Sequence, residues 1–313
     1  MPSLCFINRL IARLGTVLLF FACPASMVYA QSFNVTLLLS DSTPPYRQFS
    51  AALKKALGEK TPNINIIELQ AEEHLQPGLN GKADLIVAVG LKAGELVMAK
   101  SDVPVLGIMI PKASFGMLLE KQALRHPRQP MSAIYLDQPW DRQLNFIQAA
   151  LPNHRIVGVL YSPDTPIVLP RLPQEMSLNA KSVRSAETLF DALENILSSS
   201  DVLLVVPDSE IYSSNNVRNI LLTSYRYKVP LIGISQAYVS AGALGAIFST
   251  PEQLAEQAGG MIAHFAGSRQ LPEPQHPVSF SVALNPQVAR SLGIRLNTPE
   301  VIRERMDKSG GGR

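Results

Sequence analysis

Residues 229–248 read VPLIGISQAYVSAGALGAIF, and the parsing of this stretch decides the fold. Val229 to Ile234 is a short apolar run of the length of a buried strand; it stops at Ser235–Gln236–Ala237–Tyr238, and a second apolar run starts at Leu244. A strand that is apolar without alternation is covered on both faces, as in a parallel sheet. In open sheets of that kind the loops at the carboxyl ends of the strands face the ligand crevice. Ser235, Gln236 and Tyr238 are therefore candidate ligand contacts.

The same pattern extends outward in both directions. Upstream, Phe33 to Leu39, Ile64 to Leu69, Ala83 to Val89, Val103 to Ile110, Met131 to Leu136, Arg155 to Tyr161 and Val202 to Val206 read as strands. Between them lie helical spacings such as Tyr46, Phe49, Leu53 and Leu57, or Trp140, Leu144, Ile147 and Leu151, with Asp137 a candidate cap for the second and Trp140 a core residue. Ser185 is a candidate cap for a helix carrying Leu189, Leu193, Ile196 and Leu197. Downstream, Leu244 to Phe248 is a strand, and Thr250–Pro251–Glu252–Gln253 carries an N-cap, a proline at the first helical position and a capping-box glutamine. That helix is expected to end at Gly267, and a strand over Val278 to Leu284 precedes a short helix opened by Asn285–Pro286 and closed by Gly293. Pro163, Pro166, Pro170 and Pro173 forbid a long helix after Tyr161. Strand and helix alternate throughout, which predicts an α/β fold with mainly parallel, doubly wound sheets, and the polar, Pro-rich stretch 123–130 marks a passage into a second domain.

The chain has 313 residues, 46% of them hydrophobic and 17% charged, enough for two mid-sized domains and incompatible with a disordered or collagen-like chain. Its first thirty residues differ in kind. Arg9 and Arg13 precede an apolar stretch from Gly15 to Ala22, and Val28–Tyr29–Ala30 is a small-residue cleavage pattern, so residues 1–30 read as a secretory signal peptide cut after Ala30. Pro24 breaks a run already shorter than the roughly 20 residues a spanning helix needs. Both cysteines, Cys5 and Cys23, fall inside this leader, so no disulfide is expected in the exported chain, and Phe20–Phe21–Ala22–Cys23 matches a lipoprotein box poorly.

Several chemistries are excluded. The basic residues are scattered without an aromatic-interleaved patch, which argues against nucleic acid. His74, His126, His154, His264 and His276 form no HxxxH pair, so no metal site is expected; neither a Walker loop nor a GxGxxG turn is present, and no cofactor is expected. Gly233–Ile234–Ser235–Gln236–Ala237 resembles a nucleophile elbow, which would make Ser235 the nucleophile of a secreted serine hydrolase, but Ala237 stands where the motif has glycine and the residues after it start a long helix poorly. Polar residues recur at the ends of apolar strands instead: Ser40 and Asp41, Gly90–Leu91–Lys92, Tyr161 and Ser162, Asp208 and Ser209, Ser235, Gln236 and Tyr238. Each alone can be a cap or a turn; together they favour a cleft between domains.

Particular residues also resemble a family. Ile134–Tyr135–Leu136–Asp137–Gln138–Pro139 with Arg142–Gln143, Arg155 to Tyr161, Val229 to Gly233, Gly242–Ala243–Leu244, and Leu284–Asn285 through Ala289 to Leu292–Gly293–Ile294 are similar to the substrate-binding proteins of bacterial ABC transporters, in the branch of tryptophan and tyrosine binders with the type I periplasmic binding fold. The resemblance implies two lobes joined by three crossovers, near 132–137, 243–249 and 278–284. Residues 31–133 and 246–280 would form the first lobe, 134–245 and 281–298 the second, and 299–313 a flexible tail. It further implies a monomeric periplasmic protein, without enzymatic activity, that captures a small molecule between its lobes for an inner-membrane ABC permease or, alternatively, for a membrane sensor. Ala241–Gly242–Ala243 would then be small residues at a hinge. The Pro-rich stretch after Tyr161 and the paired prolines Pro44–Pro45 depart from the family in two regions that line the cleft, so no amino-acid ligand is carried over.

Overall fold

The computed structural model describes residues 32–310 except 62, 72–82, 126, 166–167, 169, 171, 173–174 and 185. The leader with its cleavage point, both cysteines, His74, His126 and the Ser185 cap lie outside the described residues. All ten strands read from the sequence are present. β1 (Phe33–Leu39), β2 (Ile64–Gln70), β3 (Leu85–Val89), β4 (Val105–Ile110) and β5 (Met131–Tyr135) form one sheet in the order β2-β1-β3-β4-β5, parallel at every pairing. Its central strands β3 and β4 are buried along their whole length, which is why they read as unbroken apolar runs.

The second sheet holds β6 (Ile156–Tyr161), β7 (Ser177–Ser182), β8 (Val202–Leu204), β9 (Leu231–Gly233), β10 (Gly245–Phe248) and β11 (Ser281–Leu284), in the order β11-β10-β9-β8-β6-β7. All pairings are parallel except that of β11 with β10. β7 has no counterpart in the sequence reading. Its residues SLNAKS are polar, and as an edge strand with half-exposed side chains it carries no apolar signal to detect.

Helices cover the sheets: α1 (Pro44–Lys60), α2 (Leu91–Lys100), α3 (Lys112–Arg125), α4 (Trp140–Ala150), α5 (Ala186–Leu197), α6 (Ser214–Arg226), α7 (Gln236–Ala241), α8 (Pro251–Ser268), α9 (Pro286–Ser291) and α10 (Pro299–Gly310). α8 returns the chain to the first lobe, where Ala255, Ala258 and Ile262 share a core with Phe49, Leu53 and Leu57 of α1. A separate core in the second lobe joins α4, α5 and α6 to β6, β8 and β9. The protein is thus an α/β fold of two lobes, each built on a mainly parallel sheet flanked by helices.

Several boundaries differ from the sequence reading. Residues 246–248 belong to β10 and so to the second sheet, which places the second crossover at Ser249–Thr250. Ala241–Gly242–Ala243 consequently lies inside the second lobe, where Gly242, with φ of 121°, ends α7 and Ala243 is fully buried. The expected tail is a helix: Ile302 and Met306 of α10 enter the second lobe's core, because an amphipathic face buries there what its polar sequence conceals. α8 runs past Gly267 and ends at Arg269 in a left-handed conformation. Asp137 does not cap α4; its carboxylate accepts the backbone N–H of Lys112, the first residue of α3, at 2.6 Å. Thr250 and Gln253 form the reciprocal capping box read from the sequence, and Asn285 caps α9 through the N–H groups of Gln287 and Val288.

Candidate functional site

Each lobe organises its strand ends before any ligand is considered. In the first lobe Ser40 follows β1 and is buried, with Oγ accepting the Ala93 N–H of α2 at 3.0 Å. Asp41 closes a local turn onto the Thr43 N–H, and Lys92 is exposed beside the half-buried Leu91. Gly90 caps α2 with φ of 86°, and a Cβ there would stand 2.5 Å from the Tyr46 hydroxyl and 2.6 Å from Ser40 Oγ. Only glycine meets both demands.

In the second lobe Asp208 is buried and its carboxylate accepts the N–H groups of Ser162 at 2.7 Å and of Glu210 and Ile211 at 3.0 Å. Burial alone would raise its pKa, but these donors outweigh it and hold the carboxyl below the ordinary Asp value. Asp208 and the buried Ser162 therefore face inward and brace the loops after β6 and β8, while Tyr161 is half-buried and Ser209 exposed. Ser235 stands at the N-cap position of α7, Gln236 is exposed, and Tyr238 lies against Gly233 with its hydroxyl pKa pushed up to about 12 by burial. α7 spans only six residues, so the strand does not enter the long helix a nucleophile elbow requires.

The twelve strand-end residues thus gather into three groups along the carboxyl edges of the two sheets. The structure brings Ser40 together with Gly90, Ser162 with Asp208, and Ser235 with Tyr238. None of them lines the cavity that opens between the lobes. That cavity, of about 470 Å³, has Lys112, Met117 and Glu120 of α3 on one wall, Trp140 and Gln143 of α4 on the other, and Asp137, Gln138 and His276 of the crossovers between them. Thr165, Val168, Pro170 and Pro207 complete the second lobe's wall. Its size and its mixture of apolar walls with a few convergent polar groups are those of a small-molecule site.

The polar floor is structured. His276 Nδ1 lies 2.9 Å from the carbonyl oxygen of Asp137, which makes Nδ1 the protonated nitrogen, and the His276 ring meets Tyr135 edge-on at 5.1 Å. The Lys112 ammonium stands 5.8 Å from the centroid of the Tyr135 ring. Burial raises the pKa of Asp137 above the ordinary value although the Lys112 N–H and the nearby His276 and Lys112 charges oppose it. Sequence reasoning missed these residues because Trp140 carries a core periodicity, Asp137 follows β5 where a helix cap is expected, and His276 follows no strand. Pro111–Lys112 follows β4 and was open to the same strand-end rule that selected Lys92. Among the described residues no group of three or more His, Cys, Asp or Glu side chains could hold a metal ion, and no helix is long and apolar enough to cross a membrane.

Two lobes of parallel sheet with a cavity at their junction define a binding protein of the type I periplasmic fold. The chain belongs to the ABC transporter substrate binding protein family, whose model matches residues 78–307. No curated protein matches the chain. Among solved structures it is similar to a conserved domain protein from Vibrio cholerae, at 16% identity and TM-score 0.60 over 88% of this chain and 98% of that one. It is similar as well to an ABC domain from Streptococcus pneumonia in complex with L-Trp, at 20% identity and TM-score 0.60 over 87% and 98%. A substrate-binding protein with adhesive properties from Clostridium difficile, in its ligand-free, open form, matches at 15% identity and TM-score 0.62 over 86% and 97%. The family is one of binding proteins, so the hydrolase reading of Ser235 falls, and the protein is not an enzyme.

Proposed function

We propose that the protein captures a small molecule in the interlobe cavity by closing its lobes on it, and presents the closed form to an ABC permease in the inner membrane. The reading rests on one observation: the cavity draws its walls from α3 in the first lobe and α4 in the second, so one occupant can touch both. A ligand shifts a conformational equilibrium only by its differential affinity for the two states, and an occupant of this position gains contacts on closure. The leader read from residues 1–30 and the extracytoplasmic habit of the family support a periplasmic location, with the exported chain acting as a monomer. Ligand contacts are expected from Trp140, Met117, Lys112 and Gln143, with the strand-end residues Lys92, Ser209 and Gln236 at the rims.

The L-Trp complex of the pneumococcal neighbour makes L-Trp the first compound to test, within a library of amino acids, sugars and nucleosides. Thermal melting should show a concentration-dependent rise for at least one compound, about 2.7 kcal/mol of added stability at a hundredfold excess over Kd. Trp140→Ala should abolish that rise. A library without a single shift, repeated on protein freed of co-purifying ligand by unfolding and refolding, would sink the proposal.

A further inference from the structure

Each crossover changes allegiance within one to three residues. Asp137 is fastened to the first lobe by its carboxylate on the Lys112 N–H, whereas Gln138 is fastened to α4 of the second, its carbonyl accepting Gln143 Nε2 at 2.8 Å and its Oε1 accepting the Arg142 guanidinium at 2.7 Å. At the second crossover Thr250 caps α8 in the first lobe, but Ser249 turns the other way. Its Oγ accepts Gln138 Nε2 at 2.9 Å and donates to the Ser279 carbonyl at 2.6 Å, a residue of the third crossover. In that third segment the His276 carbonyl and the Val278 N–H bond Gln257 of α8, while the Pro277 carbonyl accepts Arg142 at 2.7 Å.

We infer that Gln138 and Ser249 are positioning residues that tie the three crossovers into one hydrogen-bonded unit, with the pivots of lobe motion at the Asp137–Gln138 and Ser249–Thr250 peptides and within 276–279. The inference deepens the proposed closure and rests on it. Three separate strands of chain would otherwise bend independently; the Gln138–Ser249–Ser279 relay makes them turn together with the second lobe. Asp137 and Gln138 also both line the cavity, so an occupant touching both holds the two sides of the first pivot at once.

Hydrogen exchange on the full chain without ligand tests this. The amides of Leu136, Thr250 and Val278 are each hydrogen-bonded, to the Ile110 carbonyl and to Oε1 of Gln253 and of Gln257, and they report one crossover each. Ser249→Ala removes both bonds at the relay's centre without touching the cavity, and all three amides should exchange roughly ten-fold faster. Ser249→Thr keeps the hydroxyl and should return all three to the parent rates. Acceleration confined to Thr250, or equal in the Thr variant, would overturn the inference. Because the readout uses no ligand, the two failures are distinct: a failed ligand screen removes the closure that the relay would couple, and a successful screen with unchanged exchange removes the relay alone.

Discussion

Asp208, buried, and Asp137, half-buried on the cavity floor, are two carboxylates that respond oppositely to their surroundings. Asp208 receives three backbone N–H groups and is held below its ordinary pKa, whereas Asp137 is raised by burial despite the Lys112 N–H and its own N–H. The stability that Asp208 contributes is complete above the unfolded value of about 3.9 and is lost as pH falls through its lower folded value. For Asp137 the sign is reversed: the ionised form costs stability above the raised folded value, and the cost falls away as pH drops toward about 3.9. Asp208→Asn should therefore lower stability at neutral pH by about 1–3 kcal/mol and flatten the acid limb of the profile. Asp137→Asn keeps an acceptor for the Lys112 N–H and should raise it. Urea denaturation of both variants from about pH 3 to pH 7 reads the two slopes, and slopes of the same sign would refute the assignment. The sequence marks Asp208 as a residue after a strand, but whether such a carboxylate faces ligand or braces a loop depends on the Ser162 N–H that a distant segment adds to the local donors Glu210 and Ile211.

At the scale of elements, apolar strands and capped helices are legible, and polar edges are not. Thr250–Pro251–Glu252–Gln253 announces α8 because the cap is local chemistry among four residues, and Asn285–Pro286 does the same for α9. β7 leaves no such trace, and at α10 Thr298–Pro299–Glu300 repeats the opening of α8 without saying that the helix packs. β7 is held by its parallel pairing with β6, and α10 by Ile302 and Met306 entering a core whose other members are drawn from Leu144 through Ala289. Ile302→Ala should cost about 2–5 kcal/mol, as for a fully buried aliphatic side chain, whereas Val301→Ala on the exposed face should change stability by less than about 0.5 kcal/mol. Chemical denaturation separates these outcomes. Equal, negligible effects would return residues 299–310 to the tail read from the sequence.

For the whole molecule, the two lobes and their order along the chain follow from the alternation of strand and helix, but the cavity does not. Its residues come from α3, α4, the loops after β6 and β8 and two crossovers, which share no spacing in sequence. The proposed closure predicts that a compound raising the melting temperature also lowers the radius of gyration in small-angle scattering, by the few ångströms that two mid-sized lobes lose on shutting. A melting shift at constant radius would mean capture without closure, and the permease would then have no changed shape to read.

What the sequence by itself determined is the local physics: buried parallel strands, because unbroken apolar runs such as Leu85 to Val89 can satisfy their backbone only in a covered sheet; helix starts, because caps are chosen within four residues; and the family, because strand and crossover segments from Ile134 to Ile294 keep their order. Tertiary structure alone decided which lobe owns residues 246–248, that the last helix is packed, and that Trp140, Lys112, Asp137 and His276 converge while Asp208 turns inward. Convergence is a long-range property. A side chain at the end of a strand can cap, brace or bind, and the choice is made by neighbours that only the folded chain supplies.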